Sequence, residues 1–156
     1  MLLGTSPLRL SFAGGGTDLQ EYYENFEGSV VSTAINHFTY VIVTPRQDNS
    51  FQVFSSDFQV HFKPTKYNDL KPERGNELAV TVVKSLDCQN GMNLICSSEV
   101  APGSGLGASS SLAVNLVKTI STLKKEKMDN EEIAETAYDI GRNRLNWFIG
   151  KQDEYV

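Results

Sequence analysis

Apolar and polar residues alternate along Pro7–Ala13, with Leu8, Leu10 and Phe12 set against Arg9 and Ser11. A period of two is a strand signal. Gly14–Gly16 break it, and "TDLQEYYENF" reads next as a short helix or turn with Thr17 or Asp18 at its N-cap. "SVVSTAI" (Ser29–Ile35) and "FTYVIVTP" (Phe38–Pro45) read as two strands, the second ended by Pro45. "SFQVFSS" and "FQVHF" alternate like a hairpin that turns at Ser56-Asp57. The period then lengthens. Leu78, Val82 and Leu86 stand four apart and predict a helix over Asn76–Asp87, and "MNLICSS" predicts another short strand. Leu112, Ala113, Leu116, Val117, Ile120 and Leu123 form one helical stripe. Lys124–Lys127 close that helix with mostly positive charge, which suits its C-terminal dipole. Asp129 with Glu132 predicts a capping box for a last helix that buries Ile133, Ala137, Ile140 and Leu145. Strands come first and helices later in a mixed order, which predicts an α+β fold and not a doubly wound parallel sheet. No repeat, low-complexity tract or linker divides the chain, so residues 1–156 read as one domain.

Bulk composition narrows the partners. The net charge of −5 makes the chain a poor non-specific binder of nucleic acid or anionic membrane, although it leaves room for one local phosphate cradle. Runs such as Tyr40–Val43 are too short to span a bilayer, and no signal peptide is evident, so a cytoplasmic location is expected. Cys88 and Cys96 are the only cysteines; they suggest core filling, not a disulfide framework. His37 and His61 read as strand histidines without a metal constellation.

Three clusters carry chemistry. The first is "PGSGLGASSS", where three glycines and three serines run straight into a helical pattern. A helix N-terminus leaves amides without partners and carries about half a positive charge. A phosphate satisfies both. Glycines allow close backbone approach, and serine hydroxyls can reach phosphate oxygens or Mg²⁺. A Walker A loop is excluded because Ala108 and Ser109 stand where Lys and Ser or Thr are needed. A dinucleotide fingerprint is excluded because Gly103, Gly105 and Gly107 are spaced by two. The second cluster is "PLRLSFAGGGTD", with Arg9 suited to phosphate charge and Asp18 to sugar hydroxyls. The third is "GKQDEY", a glycine turn that carries Asp153. Each has a blander reading alone: a flexible capped loop, a surface strand arginine, a solvated turn aspartate.

The three clusters in this order resemble the GHMP kinases, the superfamily of galactokinase, homoserine kinase, mevalonate kinase and phosphomevalonate kinase. The likeness is strongest to the branch that contains D-glycero-D-manno-heptose 7-phosphate kinase, and "GSVVSTAINHFTYVIV" also looks like that branch. The resemblance implies the GHMP-kinase N-terminal domain, which has the ribosomal protein S5 domain 2-like fold. It implies that Asp153 is the catalytic base or hydroxyl-orienting carboxylate and that Arg9 sits beside it, balancing charge on the transferring phosphoryl group. Pro102, Gly103, Ser104, Gly105, Leu106, Gly107, Ala108, Ser109 and Ser110 would form the ATP cradle, with Ser109 or Ser110 reaching Mg²⁺. Gly14, Gly15, Gly16, Thr17 and Asp18 would form the sugar-binding segment. Lys151 and Tyr155 would either line the site or lie on the surface. The implied reaction transfers the γ-phosphoryl group of ATP to a sugar hydroxyl, such as the anomeric position of a heptose 7-phosphate.

Two departures stand out. Gly141 occupies a position where this branch is expected to carry a glutamate, a Mg²⁺ ligand in several relatives. The chain also ends three residues past Asp153, where relatives are expected to continue into a second, ferredoxin-like domain. The chain therefore reads as truncated, lacking a C-terminal half or pairing as a homodimer. Its alternative reading is a catalytically silent nucleotide- or sugar-binding module. An RNA-binding domain of the ribosomal-protein type is disfavoured by the acidic balance.

Overall fold

The computed structural model describes all 156 residues, Met1–Val156. The elements are β1 (Leu2–Ala13), α1 (Gln20–Tyr23), β2 (Val31–Pro45), β3 (Ser50–Ser55), β4 (Val60–His61), β5 (Thr65–Lys66), α2 (Glu77–Ser85), β6 (Met92–Ser98), α3 (Ala108–Lys124) and α4 (Asn130–Asp139). A π turn at Ile140–Arg144 and a 3-10 turn at Gln152–Glu154 follow. The architecture is the expected α+β.

The strand order is β1-β2-β6-β3-β4, with β5 paired to β3. All pairings are antiparallel except β3 with β6, which the α2 crossover makes parallel. Alternation sets the buried face. Val41 and Val43 of β2 pair with Cys96 and Leu94 of β6, which in turn register with Ser55 and Val53 of β3. The apolar members of these pairs join Leu116, Val117 and Ile120 of α3, Val82 of α2 and Ile133 of α4 in one core. Each fully buried aliphatic side chain contributes roughly 1.5–3 kcal/mol. Cys88 and Cys96 are both free and buried, as read from the sequence.

Several expectations need correction. The two expected strands are one, Val31–Pro45, and Ser29 and Val30 precede it; the interruption is a register shift in which Pro7 faces Phe38 and Leu8 faces Ile35. A bulge keeps the strand going while re-aiming its side chains. β1 begins at Leu2, five residues earlier than the Pro7 start. Its expected apolar face is buried only at Leu8; Leu10 and Phe12 are exposed, because α3 covers only part of the strand. Neither Thr17 nor Asp18 caps α1, whose N-cap position is Leu19. Thr17 Oγ1 donates instead to the Gly14 carbonyl (2.8 Å), and Asp18 Oδ1 accepts from the Gly16 amide (2.9 Å). The last helix does not run through Gly141 as α-helix: it widens at Ile140, where the Leu145 amide reaches back to the Ile140 carbonyl. Leu145 is half-buried and packs on the edge of the core.

The Asp129 capping box is present in both directions: the Glu132 amide donates to Asp129 Oδ1, and the Asp129 amide donates to Glu132 Oε2, each at 2.9 Å. Asp129→Ala is expected to cost about 1 kcal/mol of unfolding free energy. Urea denaturation with an unchanged slope would check it.

A polar seam fixes α3 on β1 and β2. Asn115 Nδ2 donates to the carbonyls of Gly4 (3.2 Å) and Thr39 (3.0 Å), and Ser111 Oγ donates to the Ser6 carbonyl (3.2 Å). A Cβ on Gly4 would lie 2.1 Å from Thr119 Oγ1, so glycine is what lets the helix come this close. The seam sets where the α3 N-terminus emerges.

Candidate active site

β6 ends at Ser98, and the chain then crosses to β1 before α3 begins. The crossing is pinned where the Arg9 amide donates to the Leu106 carbonyl (3.1 Å). Gly103, Gly105 and Gly107 have φ of +79°, +76° and +71°, a left-handed backbone that favours glycine. A Cβ on Gly103 or Gly105 would meet nothing within 4 Å, so the loop opens onto free space. On Gly107 it would lie 3.2 Å from Arg9 Cγ and 3.3 Å from Asp153 Oδ2. Gly107 is the N-cap of α3, without a side-chain cap, and the first intrahelical amide bond runs from Ser111 to Gly107 (2.9 Å). The amides of Ala108, Ser109 and Ser110 are therefore left to another acceptor.

Arg9 and Asp153 meet across 144 positions of sequence. Nε donates to Oδ1 and Nη2 to Oδ2, both at 2.6 Å, in a two-pronged pair. The third prong, Nη1, donates to the Gly105 carbonyl at 2.6 Å. One guanidinium thus ties strand, glycine loop and C-terminal turn together. The sequence reading missed Gln152, which is buried beside this pair. Its Oε1 accepts from Ser11 Oγ (2.9 Å) and its Nε2 donates to Asp153 Oδ1 (3.1 Å). Nothing local in the sequence marks that role.

Asp18 is drawn to the same corner. Its Oδ2 accepts from the Gln152 amide (3.0 Å), and its carbonyl accepts from the Lys151 amide (3.3 Å). A Cβ on Gly150 would lie 2.0 Å from Asp18 Oδ2, so the close approach requires glycine there. Gly14 turns with φ +83°, and its added Cβ would lie 1.9 Å from the Ser29 carbonyl. None of Gly14, Gly15, Gly16, Thr17 and Asp18 lines the main cavity.

That cavity holds about 410 Å³ and brings together Arg9, Pro102, Gly103, Ser104, Gly105, Gly107, Ala108, Ser109 and Asp153. Its volume is in the range of a small-molecule site. Leu106 and Ser110 do not line it. Ser109 is exposed on its wall, whereas Ser110 is buried and faces Glu154. Lys151 and Tyr155 point away: Lys151 Nζ pairs with Glu135 Oε1 at 2.6 Å, and the Tyr155 hydroxyl donates to the same carboxylate. Glu135 consequently holds its carboxyl below, and Tyr155 its phenol above, the ordinary range. Gly141 is buried, and a Cβ there would lie 2.6 Å from Ile149 Cδ1, so this fold leaves no room for a carboxylate at that position without moving Ile149.

The arrangement suits a polyphosphate. It offers free amides at the start of a 17-residue helix, an open glycine cradle and a guanidinium in one cavity. A divalent cation would find the Ser109 hydroxyl on the cavity wall, whereas both oxygens of Asp153 are held by Arg9, and no group of three or more His, Cys, Asp or Glu would hold it by itself. Mg²⁺ is usually held by one or two carboxylates and completes its shell with phosphates and water, so here the phosphates of a bound nucleotide would have to supply most of its ligands beside Ser109.

The N-terminal domain of the GHMP kinases matches residues 76–153, half of the chain, including the glycine loop and Asp153. This chain belongs to the GHMP kinases. It is 32% identical over 156 residues to the D-glycero-alpha-D-manno-heptose 7-phosphate kinase of Campylobacter jejuni, covering 97% of this chain and 46% of that protein. It is 30% identical over 160 residues to the galactokinase of Chloroflexus aurantiacus, covering 98% of this chain and 41% of that one. The chain spans about half the length of the curated relatives it matches. Among solved GHMP kinase structures, the D-glycero-D-manno-heptose 1-phosphate kinase of Bacteroides thetaiotaomicron superposes with a TM-score of 0.92 at 24% identity, over 99% of this chain and 52% of that one. That likeness establishes the fold of this GHMP kinase domain. No helix is long and apolar enough to cross a membrane.

Proposed function

We propose that the chain is the ATP- and sugar-binding part of a sugar kinase that phosphorylates a sugar hydroxyl, with the anomeric hydroxyl of a heptose 7-phosphate or a related sugar as the acceptor. The observation that carries this reading is the Arg9–Asp153 pair closing one side of the cavity that the glycine loop opens on the other.

Asp153 orients the acceptor hydroxyl and takes its proton as the new oxygen–phosphorus bond forms and the bond to the ADP leaving group breaks. Arg9 holds both carboxylate oxygens and so fixes their direction, and its charge offsets that of the phosphoryl group in flight. The amides of Ala108, Ser109 and Ser110 bind phosphate oxygens, and Gly103–Gly107 let the backbone approach them. Ser109, the serine on the cavity wall, is assigned to the cation. Bound Mg²⁺ would supply charge neutralisation at the phosphates. Asp18, held against the C-terminal turn by its bond from the Gln152 amide, and the Gly14–Gly16 segment beside it would contribute to holding the sugar. Phosphoryl transfer depends mainly on positioning and charge, so this short list is chemically sufficient.

A second reading, a silent nucleotide- or sugar-binding module, is favoured by one observation. Gly141, which does not line the cavity, brings no carboxylate, and Arg9 already occupies both oxygens of Asp153. Calorimetric titration with ATP, with and without Mg²⁺, followed by an ADP-release assay on heptose 7-phosphate, separates the two. Saturable ATP binding with sugar-dependent ADP release supports the kinase. Binding without release supports the module. No binding by a folded chain removes both readings of the glycine loop.

A further inference from the structure

The two oxygens of Asp153 are not equivalent. Oδ1 accepts from Arg9 Nε (2.6 Å) and from Gln152 Nε2 (3.1 Å). Oδ2 accepts from Arg9 Nη2 alone (2.6 Å). A carboxylate oxygen has about two acceptor positions, so Oδ1 is filled and Oδ2 keeps one open. The open oxygen is also the one beside the glycine loop. A Cβ on Gly107 would lie 3.3 Å from Oδ2, and Gly107 lines the cavity, whereas Gln152 does not.

Gln152 is buried and held at both ends. Its backbone amide donates to Asp18 Oδ2 (3.0 Å), and its side-chain Oε1 accepts from Ser11 Oγ (2.9 Å). The direction of the side-chain amide is forced. An ionised carboxylate has no proton to give, so only Nε2 can face Asp153, and Oε1 is left to the Ser11 hydroxyl. Ser11 lies on β1 two residues beyond Arg9. One strand thus holds Asp153 twice, directly through Arg9 and indirectly through Ser11 and Gln152.

We infer that Gln152 is a positioning residue for phosphoryl transfer: backed by Ser11, it closes Oδ1 of Asp153 and leaves Oδ2 as the oxygen that receives the acceptor proton. The inference rests on the reading of the chain as a sugar kinase and deepens it. The acceptor O–H bond breaks toward Oδ2 as the acceptor oxygen bonds to the γ-phosphorus and the bond from phosphorus to the ADP oxygen breaks. The carboxyl torsion of an aspartate is soft. Without the Nε2 donor, Oδ1 regains an open position on the Gln152 side, and the carboxylate is aimed less firmly at the hydroxyl. Small errors of aim are costly in a transfer that depends on positioning.

The test measures kcat, and KM for ATP and for heptose 7-phosphate, in sugar-dependent ADP release. It compares the 156-residue chain with Gln152→Leu, Ser11→Ala, Ser11→Thr and the double variant of Ser11→Ala with Gln152→Leu. Circular dichroism and ATP calorimetry check that each is folded and keeps its cradle. Gln152→Leu should lower kcat by about 10- to 100-fold, the worth of one hydrogen bond to a charged group, with both KM values within about threefold. Ser11→Ala, which frees the amide to turn, should lower kcat by about three- to tenfold and add nothing in the Gln152→Leu background. Ser11→Thr keeps the hydroxyl and should keep the rate. A Gln152→Leu rate within about threefold of the parent, a loss carried by KM, or losses that multiply in the double variant overturns the positioning role while the kinase reading stands. If Gln152→Leu does not fold, the Ser11 pair decides, and equal rates for Ser11→Ala and the parent overturn the inference. No sugar-dependent ADP release by the folded parent chain overturns the kinase reading and this inference with it.

Discussion

Asp153→Asn is expected to lower sugar-dependent ADP release by about 10²–10⁴-fold, the usual span for loss of a positioned general base. ATP affinity should stay within about threefold, because in the proposed cradle backbone amides at a helix N-terminus hold the phosphates. The split follows from geometry. Asp153 faces the guanidinium of Arg9 and lies against Gly107, but the phosphate-binding groups of the cradle are amides that the substitution leaves in place. The new side chain keeps the shape of the carboxylate and one acceptor for Arg9, so the C-terminal turn stays anchored through Gln152 and Asp18. A coupled ADP assay and a calorimetric titration on the same preparation read both quantities. Equal rates in the two proteins would remove Asp153 from the chemistry. Release by neither, with ATP bound by both, would move the chain to the binding-module reading.

The parts of the site legible in the sequence were those where the backbone does the work. Gly103, Gly105 and Gly107 are left-handed, and no other residue takes that conformation as readily, so the need is written directly into the chain. Arg9 and Asp153 were legible as members of motifs, but their two-pronged contact was not, since 144 positions separate them. Gln152 and the engagement of Asp18 by the amides of Gln152 and Lys151 share that cause: they are set by which segments meet, and each looks like an ordinary turn residue in its own neighbourhood.

The fold divides the same way. The core stripe of α3 follows from helical period, and Leu116, Val117 and Ile120 are fully buried as that stripe implies. Ser111, Asn115 and Thr119 on the same helix are buried as well, and polarity alone would have placed them in solvent. Ser111 and Asn115 are buried because Gly4, Ser6 and Thr39 present carbonyls that they satisfy, and Thr119 donates to Asn115 Oδ1. The bulge that joins two apparent strands into β2 was equally hidden, because a local break in alternation looks the same whether the strand ends or shifts register. Gly141 shows the converse. Its departure is plain in the sequence, whereas in the fold a Cβ there would meet only side chains, nearest the end of Ile149 at 2.6 Å from Cδ1, so a larger residue would need no more than a shift of that side chain.

Glu154→Gln is expected to stabilise the folded chain at pH 8 by about 3 kcal/mol and to leave it little changed at about pH 4.5. Glu154 is only 6% exposed, and its Oε2 has no hydrogen-bond partner. Burial above all, helped by the charges of Asp153 and Asp18 and partly offset by the Ser110 hydroxyl, pushes its carboxyl up to about 7. The folded value lies above the ordinary 4.5. The stability linked to this group is therefore present in full below about pH 4.5 and is lost as pH rises through about 7. At about 1.4 kcal/mol per unit, that gap is about 3 kcal/mol. The paired carboxylates work in the opposite direction: Arg46 holds Asp48 down, Tyr40 and His37 hold Glu99 down, and Lys151 holds Glu135 down, so their contribution is lost as pH falls. Their loss lies below the ordinary carboxylate range; Asp57, raised by burial, acts in the same direction as Glu154, which carries the larger shift. An amide there carries no charge to desolvate, and its N–H groups face two carboxylates. For a chain of this size the gain corresponds to roughly 6–12 °C in Tm at pH 8. Thermal unfolding of both proteins at about pH 5 and pH 8 reads it directly, and parallel pH dependences would show that Glu154 does not hold a buried charge.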